Sequence, residues 1–284
     1  MRTVRAVMSI QSTVVYGHVG STAAALPLHR LGFDVWALPT VVYSSHAGYP
    51  GVRGRRTPVS ELRELLAGLE ALGRLDCCEA VLSGYLGSPE TWSVVVEALA
   101  AVRSERPGAW YVCDPVLGDE GELYVPAELV RTFREQAVPR ADLLVPNRFE
   151  LEWLVDRPVA SLAEAIVAAR ELHTAGAREV VVKGLVFEHD GRLTQHVVGL
   201  NDDGAWLARA PHIAQFWGGA GDVFTGLLTG LRLSEIPLGE AVGRATALMQ
   251  QLISRTHETG APELRLVEID WAAEPAGAHA EQVG

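Results

Sequence analysis

Asp222 stands at the end of a glycine-rich run. Gly218, Gly219 and Gly221 lie within Trp217–Gly226 (WGGAGDVFTG), and apolar residues follow at once. Backbone N–H groups at a helix start lack intrahelical partners and carry partial positive charge. Glycine lets an anion come close to them. An acid beside a phosphoryl group held there can take the proton of an attacking hydroxyl, while the Gly219, Ala220 and Gly221 amides hold the developing charge. No Lys-Ser/Thr pair follows, so this is not a Walker-type loop. Taken alone, the stretch fits a plain turn with Asp222 as helix N-cap better than a site.

Other stretches add groups of the same kind. In Cys113–Pro126 (CDPVLGDEGELYVP), Asp114 follows an apolar run and Asp119 comes five residues later. Two acids at a strand end suit Mg²⁺, directly or through water; an Asp-Pro turn explains them equally well. In Val145–Leu154 (VPNRFELEWL), Asn147 and Glu150 have the spacing of a capping box, and a capped helix start can also face a metal–phosphate site. Lys183 ends the apolar VVVK run, where it meets either a phosphate or solvent at the sheet edge. Ser9–Ser21 (SIQSTVVYGHVGS) sets Ser12, Tyr16, Gly17, His18 and Gly20 after a first strand. Small polar groups beside aromatics suit a planar polar molecule, and Tyr43 and Tyr85 near other strand ends either stack on such a ring or are ordinary half-buried aromatics.

These residues need a scaffold that gathers strand ends. Apolar runs predict strands over Val4–Ile10, Val35–Leu38, Ala80–Ser83, Trp110–Asp114, Leu143–Val145 and Val180–Lys183. Amphipathic stretches predict helices over Thr22–Leu31, Ser60–Leu72, Pro89–Arg103, Phe149–Leu154, Leu162–Ala175, Asp222–Leu231 and Leu238–Ser254. Ser161 with Glu164 opens one helix as a capping box, and Gly176 closes it. The alternation reads as βαβ units, an α/β fold with a mostly parallel sheet covered on both faces, whose ligands sit beyond the carboxyl ends of the strands. Residues 44–58, rich in Gly, Pro and Arg, read as a mobile flap, and the chain from about Ala272 to 284 as a frayed tail behind one domain over 1–271.

The chain has 284 residues, 48% hydrophobic and 21% charged, with a formal net charge of -11. That acidity argues against nucleic acid and anionic membrane as partners. The three cysteines, Cys77, Cys78 and Cys113, show no zinc spacing and suggest a reducing, cytoplasmic setting. No apolar run approaches the ~18 residues of a membrane span.

Taken together, the motifs resemble the pyridoxal kinases. SIQSTVVYGHVGSTAAALPLHRLGFDVWALPTVVYSSH, LSGYLG, CDPVLGD, PNRFELE and GAGD occur in that family's order, from about Val4 to Arg255. GAGD alone would point only to the wider ribokinase-like superfamily. The resemblance implies a ribokinase-like three-layer α/β/α sandwich with a flap, a homodimer, and ATP with Mg²⁺, often joined by K⁺ or Na⁺. The implied reaction moves the γ-phosphoryl group of ATP to the 5′-hydroxymethyl group of pyridoxal, pyridoxine or pyridoxamine. By resemblance, Asp222 is the base and Gly219, Ala220 and Gly221 form the anion hole. Ser12, Val19, Tyr43, His46, Ala47 and Tyr85 hold the vitamer with Asp222. Asp114, Asn147, Glu150, Lys183, Gly184 and Ala220 face ATP, and Asp114, Asp119 and Glu150 face the metal.

Two positions depart from the family pattern. Ala47 follows the flap histidine where relatives usually carry Thr, and Tyr43 stands where Phe is common. Both bear on vitamer preference more than on reaction type. A hydroxymethylpyrimidine kinase is the rival within the superfamily. A non-catalytic vitamer-binding module is the rival outside it, and the retained Asp222 counts against that.

Overall fold

Adjacent residues in a strand point to opposite faces, and the apolar residues here divide accordingly. Met8, Ile10, Val180 and Val182 face one core, while Val7 and Val181 face another. A sheet apolar on both sides must be covered on both sides. A computed structural model of the chain, describing residues 4–119 and 121–283, shows how.

The strands are β1 (Ala6–Val14), β2 (Asp34–Tyr43), β3 (Gly54–Arg56), β4 (Cys78–Ser83), β5 (Trp110–Cys113), β6 (Gly118–Asp119), β7 (Glu122–Leu123), β8 (Leu143–Leu144), β9 (Val180–His189), β10 (Arg192–Asn201), β11 (Gly204–Pro211) and β12 (Glu281–Val283). The main sheet has ten strands in the order β12-β11-β10-β9-β8-β5-β4-β1-β2-β3, and β6 and β7 form a separate hairpin. From β9 to β2 all neighbours run parallel. The helices are α1 (Ser21–Arg30), α2 (Val59–Ala71), α3 (Thr91–Glu105), α4 (Ala127–Thr132), α5 (Arg148–Val155), α6 (Leu162–Thr174), α7 (Ala220–Leu233) and α8 (Leu238–Thr259). Helices α2 to α6 cover one face and α1, α7 and α8 the other. This is the expected three-layer sandwich. Strand β1 has β2 on one side and β4 on the other. The helices that follow β1 and β2 lie on opposite faces, so the chain parts at the carboxyl end of β1, where such sheets hold ligands.

Several expectations need correction. Strand β9 runs on past Lys183 to His189 and returns as β10 and then β11. Asp190 and Gly191 both have positive φ at the β9–β10 turn. An Asp-Gly pair is a recognised hairpin signal, and here it turns β9 into β10. The tail expected to fray instead adds β12 to the sheet, pairing Glu281 with Leu207 and Val283 with Ala205. Its approach is packed against Gly243 of α8, where an added Cβ would lie 2.9 Å from the His279 carbonyl carbon. Segment 44–58 is also less irregular than expected, since Gly54–Arg56 pairs with Val41–Tyr43. At α6 the Ser161 side chain accepts from the Glu164 amide as predicted, but the Glu164 carboxylate turns to the Ala160 N–H. Among the described residues, no helix is long and apolar enough to cross a membrane.

Helices α1 and α7 meet closely because Gly226 has no side chain. A Cβ there would sit 2.6 Å from the Ala24 carbonyl oxygen and 2.8 Å from its Cα. Alanine would gain about 1 kcal/mol of helix propensity, but forcing backbone apart costs about 1–3 kcal/mol. Gly226→Ala is therefore expected to lower the urea midpoint; a raised midpoint would show that the two helices do not pack this tightly.

Candidate active site

Helix α7 begins at Ala220, two residues before Asp222. Asp222 thus sits inside the first turn and is not the N-cap. Gly219 holds that position with φ 80, and no side chain caps the helix. The left-handed backbone favours glycine, and space demands it too: a Cβ on Gly219 would fall 1.7 Å from the His18 carbonyl oxygen and 3.2 Å from Val19 Cα. The glycine loop is therefore pressed against the β1–α1 connection, and a helix start without a side-chain cap can receive an anion.

Beneath the loop lies a buried ion pair. Lys183 Nζ donates to Asp114 Oδ2 at 2.6 Å, to Thr225 Oγ1 at 3.1 Å and to the Gly221 carbonyl at 3.3 Å. An ammonium has three donors, and all three are engaged here. The Thr225 hydroxyl also hydrogen-bonds Asp114 Oδ2. Asp114 Oδ1 is buried without a hydrogen-bond partner. Burial alone would strip the Lys183 proton, but Asp114 and Glu150, with Asp222, outweigh it and hold the ammonium above its ordinary value.

Glu150 and Asn147 form the predicted capping box. Glu150 N donates to Asn147 Oδ1 at 2.8 Å and Asn147 N to Glu150 Oε2 at 2.7 Å, while Leu117 N reaches Glu150 Oε1 at 3.2 Å. Burial, then the Asp114 charge, pushes the Glu150 carboxyl well above the usual carboxylate range. Burial and Asp114 likewise lift Asp222 to about 6, against the Gly20 backbone and Lys183. Asp114, Asp222 and Glu150 thus share one ammonium, an excess of negative charge that a divalent cation would relieve. No group of three or more His, Cys, Asp or Glu side chains among the described residues converges tightly enough to hold a metal unaided. One free carboxylate oxygen fits Mg²⁺, which is held by few carboxylates together with water and phosphate.

The remaining predicted residues fall into four groups. Asn147 bridges to Lys183 across the sheet edge, and Gly184 lies beside it with φ 68. Ser12 is buried against Gly20, where a Cβ would lie 2.3 Å from Ser12 Oγ. Val19 adjoins the glycine loop. Tyr85, raised by burial, lies near enough to Tyr43 and Arg56 to respond to both. Asp119 sits in the small β6–β7 hairpin. Ala47 is exposed on the flap, and the His46 ring nitrogens are taken by Glu263 and the Gly48 amide. The sequence reading missed Thr225, Tyr49 and Glu263. Thr225 had a signal, since it follows Asp222 by three residues and so shares its helical face; Glu263 had none.

A family model described as Phosphomethylpyrimidine kinase matches residues 67–265. The chain is 39% identical over 270 residues to pyridoxal kinase PdxY of Deinococcus radiodurans, covering 93% of this chain and 91% of that one. It is 39% identical over 265 residues to pyridoxal kinase PdxY of Rubrobacter xylanophilus, covering 92% and 91%. Among solved structures, pyridoxal kinase from Leishmania donovani in complex with ADP and pyridoxine has a TM-score of 0.88 and 33% identity, over 98% of this chain and 99% of that one.

Removing Lys183 leaves Asp114, Glu150 and Asp222 without the ammonium they share. Lys183→Met is expected to lower unfolding free energy in urea by about 3–5 kcal/mol at alkaline pH, and by less at acidic pH, where Asp222 and Glu150 take up protons. Equal losses at both would mean that side-chain packing, not charge, sets the cost.

Proposed function

The chain belongs to the pyridoxal kinases, and on that premise we propose how its own residues carry out ATP-dependent phosphorylation of the 5′-hydroxymethyl group of a B6 vitamer. The observation that carries the reading is Asp222. It lies in the first turn of a helix that no side chain caps, with its carboxyl lifted to about 6. Above that pH it is ionised and able to accept the proton of the attacking hydroxyl. The Gly219, Ala220 and Gly221 amides hold the transferring phosphoryl group, where preorganised donors act without reorganising. Ser12, Val19, Tyr43 and Tyr85 hold the ring, and flap residues His46 and Ala47 cover it, excluding water that would compete as acceptor.

Lys183 serves here chiefly as a fixed charge. Its three donors brace Asp114, Thr225 and the Gly221 carbonyl, so a direct phosphate contact would require one of them to let go. Asn147 and Gly184 line the same edge for ATP. Asp114, through its unpartnered Oδ1, would hold Mg²⁺ together with Glu150 and Asp119. Such an ion supplies charge neutralisation for the phosphates. The homodimer implied by resemblance, and a K⁺ or Na⁺ requirement, belong to the same reading and are measured by sedimentation and by cation substitution.

Comparing pyridoxal, pyridoxine, pyridoxamine and hydroxymethylpyrimidine as acceptors of phosphate from ATP tests the assignment. Phosphorylation of the B6 vitamers is expected, and turnover confined to hydroxymethylpyrimidine would replace this reading with the one the family model's description suggests. Asp222→Asn should cut turnover by ~10²–10⁴ while ATP still binds.

The acidic limb of kcat/KM near pH 6 should vanish in the same variant. The folded state binds the Asp222 proton more tightly than the unfolded chain does. The ionised carboxylate therefore destabilises the fold as pH rises through about 6. Asp222→Asn should accordingly stabilise the protein at pH 8, by on the order of 1–2 kcal/mol, with the gain fading toward pH 4. A variant with wild-type turnover, or a gain unchanged across that range, would contradict the assignment.

A further inference from the structure

Glu263 lies in the turn after α8, far in sequence from every motif above, yet the flap and the β1–α1 connection meet on its carboxylate. Its Oε1 accepts from His46 Nε2 at 3.1 Å and from the Tyr49 hydroxyl at 2.6 Å, both on the flap. Its Oε2 accepts from the His18 N–H at 3.1 Å, in the β1–α1 connection. The glycine loop joins through the same turn, because Trp217 Nε1 donates to the Ala261 carbonyl at 3.2 Å. Two glycines make room for the arrangement. A Cβ on Gly17 would lie 2.7 Å from Glu263 Oε2, and one on Gly218 would lie 3.0 Å from His46 Nε2. The Glu263 side chain is 13% exposed and that of His46 17%, so these contacts are sheltered from water and less screened than surface pairs. The contacts also fix the imidazole tautomer, with Nε2–H toward Glu263 and Nδ1 accepting from Gly48 N.

We propose that Glu263 is the positioning residue of the flap, holding His46 and Tyr49 against the β1–α1 connection and the glycine loop so that the vitamer pocket is covered while phosphoryl transfer proceeds. Flap contacts that form only over bound vitamer would need no such anchor. Here the anchor is a carboxylate that the flap and the β1–α1 connection both reach, in a turn that also receives the glycine loop through Trp217. The inference rests on the vitamer-kinase reading for its kinetic consequences but not for its conformational ones.

The test uses the full chain carrying Glu263→Ala, Glu263→Gln or Tyr49→Phe. Trypsin cleavage at the exposed flap residue Arg53 reads flap opening without any assay of activity. It should be at least fivefold faster in Glu263→Ala. KM for pyridoxal should rise tenfold or more while kcat changes less than threefold. ATP hydrolysis without vitamer should increase, because water gains access. Tyr49→Phe, which removes one hydroxyl from the flap, should shift all three readouts in the same direction by less, and its effect should be largely lost in the Glu263→Ala background. Cleavage, KM and ATP hydrolysis all at wild-type levels in Glu263→Ala and Tyr49→Phe would overturn the proposal. So would a loss confined to kcat with the flap still protected. Should the wild type phosphorylate no vitamer, the kinase reading fails, and the cleavage rates still decide the role of Glu263. Should Glu263→Ala not fold, Tyr49→Phe and Glu263→Gln carry the same three readouts.

Discussion

One ammonium among three carboxylates governs the site. Lys183 spends all its donors on Asp114, Thr225 and the Gly221 carbonyl, and through them it ties the end of β5 to the first turn of α7. Asp222 and Glu150 are left without a full share of positive charge, and burial first, then the Asp114 charge, raises both. A stable interior would pair each charge fully or do without it. Leaving carboxylates crowded and undercompensated makes sense where a bound cation and phosphates complete the balance.

The contrast with the other end of the sheet sharpens the point. At the amino ends of the strands, Glu79 accepts from Arg5 and Arg106, and Glu179 accepts a two-pronged contact from Arg232. Every oxygen of those two carboxylates has a guanidinium partner. At the carboxyl ends, Asp114 keeps a buried oxygen with no partner. The same residue types are fully paired at one edge and keep an unpaired oxygen at the other.

Close approach is the second constraint. The glycine loop and the β1–α1 connection lie backbone on backbone, and glycines permit this at Gly219 against His18 and at Gly20 against Ser12. The flap then rests on that assembly through His46, above Gly218. Glycines that read as looseness in the sequence are contact points in the fold. The capping box at Asn147 and Glu150 shows the same economy, since one pair of side chains both starts α5 and places a carboxylate near Asp114 and Lys183.

The sequence by itself determined the layered α/β class, the strand that stops just before Asp114 and the start of the one that carries Lys183, the capped starts of α5 and α6, and the family, because periodicity, caps and motif order are local properties. Its motifs single out Asp222 but do not place it in the helix. Gly219 and Gly221 before it leave the helix start open, and only the left-handed backbone of Gly219 sets it. The β9–β10–β11 meander was legible in principle through Asp190-Gly191, but the docking of Glu281–Val283 on β11 was not, since an edge strand of three polar-rich residues carries no periodic signal. Tertiary structure alone decided which charges share Lys183, that Asp114 keeps a free oxygen, and that Glu263 reaches His46, Tyr49 and His18. Those facts depend on distances between segments up to 245 residues apart, and no local pattern encodes such a distance.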